Sequence, residues 1–183
     1  MLTKLVLTKL DTAEARQVAA LEASIRRLNP AAMVIRSAMP VSVEEPERVR
    51  SRRVLVVEDG PTLTHGGMAL GAGALAARKF GATELVDPRP YAVGSLKEAL
   101  AAYPHIGRAL PAMGYGRDQM RELEDSIRRV PCDLVLIATP VDLRHVIRID
   151  QPACRVTYEV EEIGRPTFCD ALERVILRAK PRA

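Results

Sequence analysis

The run "VLVVED", residues 54 to 59, stays apolar for four positions and then closes on two acids. A strand with one wet face alternates apolar and polar residues; one that does not alternate is covered on both faces, as central strands of parallel sheets are. Glu58 and Asp59 then mark its carboxyl end, and "GPTLTHGG" (60 to 67) follows as a loop rich in hydroxyls and glycine. A small-residue helix over about 67 to 79 and a strand at "ELVD" (84 to 87) come next. "DLVLIAT" (133 to 139) has the same continuously apolar character and reads as a second buried strand. This alternation predicts an α/β fold with a mostly parallel sheet flanked by helices, Rossmann-like and related to P-loop NTPases.

The flanking segments extend the pattern. Residues 3 to 8 read as a strand, and a helix follows over about 12 to 28 with Val18, Leu21, Ile25 and Leu28 on one face. Asn29-Pro30 stops it, since proline cannot continue a helix. "AAMVI" (31 to 35) is another strand, and the polar, proline-interrupted stretch 40 to 53 reads as a linker or long crossover. Prolines and glycines break up the middle of the chain until a helix at 117 to 129, with Met120, Leu123, Ile127 and Val130 inward. Thr139-Pro140 supplies an N-cap and a proline suited to a first helical turn. "RVTYEV" (155 to 160) reads as an outer strand, and the last helix, 167 to 179, carries Phe168, Leu172, Val175, Ile176 and Ala179 in one stripe. Two parts are expected, residues 1–40 and 41–183.

Composition narrows the classes of function. The chain has 183 residues, 48% apolar and 27% charged, which suits a globular protein with a sizeable core. A net charge of +4 favours anionic ligands, and 3% aromatic residues leave little for stacking on nucleic acid, so no nucleic-acid partner is expected. Arg48, Arg50, Arg52 and Arg53 form the one dense basic run and read as a solvated loop before a strand. Cys132, Cys154 and Cys169 are odd in number and widely spaced, and the three histidines show no metal-ligand spacing with them. Reduced thiols, a cytoplasmic location and no membrane span are the expectations.

At the end of the first strand stand Thr8-Lys9-Leu10-Asp11, the order of residues with which GTP-binding proteins read guanine. A strand-end aspartate accepts from guanine's N1 and its exocyclic amine, and the lysine stem lies over the base; adenine has no such donor pair. The structural alternative is Asp11 as helix N-cap, with Glu14 at the capping-box position. One helix and one strand later come Ser37-Ala38, where GTP-binding folds place a turn whose backbone amide meets the guanine carbonyl. The G-x-x-x-x-G-K-[ST] loop that would hold the phosphates does not occur, and neither does any Gly-Lys dipeptide. The chain therefore reads as the C-terminal part of a longer protein whose upstream portion carries that loop.

The loop after residue 59 carries a second set of candidates. Ligands of open α/β sheets bind beyond the carboxyl ends of strands. Asp59 there is a candidate for holding Mg²⁺ and for catalysis, and His65 for moving a proton. Thr62, Thr64, Gly66 and Gly67 are candidate phosphate donors at a helix N-terminus. The competing reading is a strand-to-helix turn in which Asp59 and Thr62 bond local backbone. Arg89 lies between two prolines and Arg117 follows Gly-Tyr-Gly; both are candidates for phosphate or substrate.

These same segments resemble the cyclic 2,3-diphosphoglycerate synthetase family, P-loop proteins also described as predicted GTPases. The resemblance rests on "VLTKLD", "VEDGPTLTHGGMALGAG", "VDPRPYAVGS", "YPHIGRALPAMGYGRDQMRELE", "ATPVDLRHVI" and "RVTYEVEEIGRP", which together cover nearly the whole chain. It implies ATP or GTP as substrate, Mg²⁺, and closure of a phosphoanhydride within a 2,3-bisphosphoglycerate-like molecule. It also implies an N-terminal P-loop portion as partner and a homo-oligomer. The residues leave two other classes open, a GTPase serving regulation or metal delivery and a non-catalytic small-molecule-binding domain.

Overall fold

A computed structural model gives the fold, and it describes residues 4–114 and 116–179. In chain order the first elements are β1 (Lys4–Leu7), α1 (Ala15–Leu28), β2 (Met33–Ala38), β3 (Val41–Val43) and β4 (Arg53–Asp59). Next come α2 (Gly60–Thr64), α3 (Ala72–Lys79), β5 (Glu84–Leu85), α4 (Gly94–Ala102), β6 (Leu110–Ala112) and α5 (Arg117–Arg129). The last are β7 (Leu134–Ala138), β8 (Ala153–Tyr158), β9 (Glu161–Glu162) and α6 (Phe168–Ala179). The chain forms two compact units, one of residues 41–157 and one that joins residues 1–40 to 158–183.

The larger unit is built on β4. The six-stranded sheet runs β3-β8-β7-β4-β5, with β6 also on β4. β4 pairs in parallel with β7 from Val54–Leu134 to Glu58–Ala138. Its other edge is shared, β5 taking Arg53 and Val54 and β6 taking Val57 to Asp59, both parallel. Val54 to Val57 and Leu134 to Ile137 are essentially sealed from solvent, as continuous apolar runs require. α3 lies close on this sheet because its residues are small: a Cβ on Gly73 would come within 2.5 Å of Val56 Cγ1 and 3.0 Å of Ala138 Cβ. α5 buries Leu123 and Ile127, and its sequence starts acidic at Asp118 and ends basic at Arg128 and Arg129, matching the helix dipole.

The smaller unit holds a three-stranded sheet of order β1-β2-β9. β1 and β2 are parallel, registered from Lys4–Met33 to Leu7–Arg36, and the two-residue β9 is antiparallel to the end of β2. A Glu22–Arg36 ion pair of 2.9 Å places α1 on one face. Ala171 of α6, with Phe168, packs on Met33 and Ile35 on the other.

Several expectations from sequence need correction. The stretch 40 to 53 is no simple linker: it contains β3 and a 3₁₀ turn at Pro46–Arg48, and Val41, Val43 and Val49 are buried. β8 is not outermost, because β3 lies beyond it. The segment after Thr139-Pro140 forms only a 3₁₀ turn at Leu143–His145, capped by Asp142, while the Thr139 hydroxyl donates to Val141 O at 2.6 Å. The helix expected at 67 to 79 begins only at Ala72, as α3, and the segment expected as a loop before it contains the short helix α2. The apolar stripes of α1 and α6 are largely uncovered: Leu28 is 71% exposed and Ile176 57%. Thr3, Tyr115 and the Ala179 side chain lie outside the described residues.

Truncating the sealed Leu136 to alanine is expected to cost about 2–5 kcal/mol of unfolding free energy. Leu28→Ala, on an open surface, should stay within about 0.5 kcal/mol. Urea unfolding of both variants checks the contrast.

Candidate functional site

Parallel β1 and β2 end on the same edge of their sheet, and Thr8-Lys9-Leu10-Asp11 and Ser37-Ala38 meet there. Leu10 N–H donates to Ser37 O at 3.1 Å, and the Ser37 hydroxyl donates to Leu7 O at 3.2 Å. Met39 N–H donates to Asp11 Oδ1 at 2.9 Å. The loop thus holds its aspartate against the turn that follows Ser37 and Ala38. Lys9 has a left-handed backbone, φ 61°, and its carbonyl gathers Thr12 N–H, the Thr12 hydroxyl and Ala13 N–H. A non-glycine residue in that region costs of order 1 kcal/mol, which the converging bonds offset. Thr8 and Lys9 stand exposed, and Ser37 is fully buried. Asp11 does not cap a helix: α1 starts only at Ala15, with Glu14 at the N-cap position.

The second edge lies at the carboxyl ends of β4, β6 and β7. Asp59 caps α2, its Oδ2 accepting from Thr62 N–H at 3.3 Å and the Thr62 hydroxyl at 2.7 Å. Thr64 is buried and its hydroxyl reaches Gly60 O at 3.0 Å and His65 Nδ1 at 3.0 Å. A hydroxyl has one proton; when it goes to Gly60 O, the imidazole Nδ1–H is the donor to Thr64. Nε2 of the exposed His65 is then left as an acceptor, the form suited to taking up a proton. The Gly66 N–H is already used, donating to Pro61 O at 3.2 Å, and Gly67 turns the chain with φ 62°. Neither glycine starts a helix, because α3 begins at Ala72.

What sits at the N-terminus of α3 is Glu58. Its carboxylate accepts from Ala74 N–H at 3.0 Å and bonds the Gly71 and Gly73 amides, with 3% of the residue exposed. A Cβ on Gly71 would come within 2.3 Å of Glu58 Oε2, so this approach needs glycine. Burial pushes the Glu58 carboxyl up to about 7, outweighing the backbone donors that favour its ionised form. The signal available in the sequence was "LGAGA" (70 to 74) following an acid at a strand end.

The loop after β7 is fixed by another cluster that the sequence did not suggest. Arg144 lies between Asp142, at 2.7 Å, and Glu44, at 2.8 Å, joining that loop to the end of β3. The Arg144 guanidinium holds the Asp142 carboxyl down at about 2. Arg89 is likewise engaged, by Asp87 at 3.1 Å and by the Ile106 carbonyl. Arg117 is the exposed first residue of α5. Among the described residues no three His, Cys, Asp or Glu side chains cluster as a metal site, and no helix is long and apolar enough to cross a membrane.

The fold and these loops define an α/β protein with two polar strand-end edges, one of them uniting the loops after β1 and β2. No family model matches the chain. It is 53% identical over 169 residues, 92% of its length, to a protein of Thermococcus kodakarensis named arginine synthetase ArcE. The match covers 38% of that relative, so the chain spans well under half the relative's length.

Glu58 gives a pH signature. Its carboxyl lies above the ordinary 4.5 when folded, so the native state keeps a proton that the unfolded chain releases first. Stability is fully present below pH 4.5 and falls until the pH passes about 7, by about 3 kcal/mol for this group. Urea unfolding at pH 5 and pH 8 should show that loss in the parent and a much smaller one in Glu58→Gln.

Proposed function

We propose that the chain is part of a nucleoside triphosphate-dependent synthetase that makes arginine. On this reading the nucleotide base lies against the loops after β1 and β2, and the substrate lies at the carboxyl edge of the larger sheet. The observation that carries it is the pair of ties, Asp11 to Met39 and Leu10 to Ser37, which bring a strand-end acid and a Ser-Ala turn to one place. The likeness to a protein named arginine synthetase supports the reaction class, since a synthetase couples bond formation to cleavage of a nucleoside triphosphate. The phosphoanhydride closure implied by the family resemblance is the same kind of nucleotide-driven chemistry on another substrate.

The roles follow from the chemistry of each group. Asp11 reads the base through its carboxylate, flanked by Thr8 and Lys9, with the Ala38 turn below it. Phosphoryl transfer depends on position and charge more than on covalent help from the protein. Mg²⁺ takes one or two carboxylates together with phosphates and water, and Asp59 is the carboxylate offered here. His65 Nε2 accepts a proton from an attacking nitrogen or oxygen. The Thr62 and Thr64 hydroxyls hold Asp59 and His65 in place. Arg117 is a cation with which to meet a phosphate, whereas Arg89 reaches one only by giving up Asp87.

By itself the chain is expected to turn over neither ATP nor GTP, because the G-x-x-x-x-G-K-[ST] pattern that would hold their phosphates does not occur in its sequence. In the full-length protein, a synthetase run backwards should form nucleoside triphosphate from the matching diphosphate and phosphate while the bond made in the forward direction breaks, arginine being consumed and both of its precursors released. Nucleotide cleavage that responds to 2,3-bisphosphoglycerate and not to arginine would overturn the arginine reading. For the base, Asp11→Asn puts a donor where an acceptor is needed, so GTP affinity should fall at least tenfold, as loss of one charge-assisted bond worth about 1.5–3 kcal/mol implies. Xanthosine triphosphate should gain relative to GTP. Equal binding of ATP and GTP by the parent, with Asp11→Asn altering only thermal stability, would reduce Asp11 to a loop tie.

A further inference from the structure

The larger unit has a second charged face, before the amino end of β4, where the dense basic run lies. Arg48 there is paired with Glu45 at 2.6 Å, and Arg53 with Asp133 at 3.0 Å. The side chains of Arg50 and Glu47 form no hydrogen bond or ion pair among the described residues. Exposed ion pairs gain little in water, so one unpaired arginine alone says nothing. These two opposite charges, however, line one cavity of about 580 Å³, together with Pro46, Lys79, Phe80 and Gly81. Backbone bonds fix its shape: Ser51 N–H donates to Gly81 O at 2.8 Å and Thr83 N–H to Arg52 O at 2.9 Å, tying the arginine turn to the end of α3. Ser51 is left-handed, φ 58°, a conformation that a serine keeps only where its surroundings enforce it. The Lys79 ammonium stands 5.3 Å from the centre of the half-buried Phe80 ring and donates to Val41 O at 2.9 Å. Two of its three N–H groups remain for a ligand.

We propose that this cavity binds a free α-amino acid. A simple anion is opposed by Glu47, and a simple cation by Arg50 and Lys79; a molecule that carries both charges satisfies all three. The α-carboxylate meets the Arg50 guanidinium, whose fork of donors suits it, and the spare donors of Lys79. The α-ammonium meets Glu47, and the side chain lies along Phe80 and Pro46, apolar surface of the kind that lines small-molecule sites. The cavity is separate from the edge where Asp59 and His65 stand, because the seven residues of β4 set the two roughly 20 Å apart. The class of ligand follows from the charges alone. Its identity as arginine rests on the synthesis reading given above, under which arginine is the product.

The test is a nitrogen-edited NMR titration of the full-length protein with L-arginine and, separately, with L-leucine. It follows the Ser51 and Gly81 amides beside the cavity and the Thr62 and Gly66 amides at the opposite edge. The cavity signals are expected to move and saturate with either amino acid. Arg50→Gln and Glu47→Gln, both at exposed positions, should each weaken that response at least tenfold, with melting and the Thr62 and Gly66 signals as in the parent. Agmatine, which is arginine without its carboxylate, and Nα-acetylarginine, which lacks the ammonium charge, should leave Ser51 and Gly81 in place at concentrations where L-arginine saturates. Cavity signals that stay still with both amino acids would overturn the proposal. So would an undiminished response in both variants, or acetate moving the signals as far as L-arginine does. A response to L-leucine and not to L-arginine keeps the amino-acid site and removes only arginine as its occupant. A response in a protein that makes no nucleoside triphosphate from arginine keeps the site and sinks only the synthesis reading.

Discussion

Parallel pairing is the constraint on which the rest depends. Strands that run the same way end on the same edge, so every loop that leaves such a strand emerges beside the others. The registry of β4 with β6 and β7 brings Glu58, Asp59, Ala112 and Ala138 to one edge. The registry of β1 with β2 does the same for the segments before Thr8 and Ser37. Since β4 and β7 are apolar and sealed along their length, the polar chemistry of the larger unit is confined to its edges. The shared edge of β1 and β2 is why residues separated by 28 positions in sequence, Asp11 and Met39, share a hydrogen bond.

Glu58 shows how an edge is organised once it exists. Taking a carboxylate out of water is costly, and aiming it at the amides that open α3 offsets that cost only in part, which is why its carboxyl lies above the ordinary range. The arrangement demands glycine at 71, fixes where α3 can begin, and draws the segment 60 to 71 back over the sheet as a short helix and a turn. It also fills the position of an anion at a helix N-terminus with the protein's own acid. The polar groups that remain outward, Asp59 and His65, are then presented by α2 and its end. Arg144, clamped by Asp142 and Glu44, performs the same service for the loop after β7.

Features set by continuous local patterns were legible in the sequence. The apolar runs of β4 and β7, the periodic α5 and the parallel α/β class follow from residue type and spacing alone. What escaped depended on partners distant in the chain. β3 is three residues whose valines count as core only because β8 lies beside them, 110 residues later. β6, "LPA", carries a proline and has no strand signature; the far half of β4 makes it a strand. Candidate residues were read by type, and the side chains beside them were not visible. Arg89 stood out as a cation, yet Asp87 two positions away engages it. Glu58 was passed over because its meaning lies in the amides of Gly71, Gly73 and Ala74. The stripes of α1 and α6 were seen correctly as apolar, but periodicity cannot say whether anything covers them.

The central claim is that the loops after β1 and β2 read a nucleotide base. The most direct test is a nitrogen-edited NMR titration of the full-length protein with guanosine triphosphate, following the Met39 and Leu10 amides, which are tied to Asp11 and Ser37. The account predicts that both signals move and saturate together with the nucleotide, and that adenosine triphosphate moves them less. If the nucleotide saturates the protein while both amides stay where they were, the base is bound elsewhere and the account is wrong.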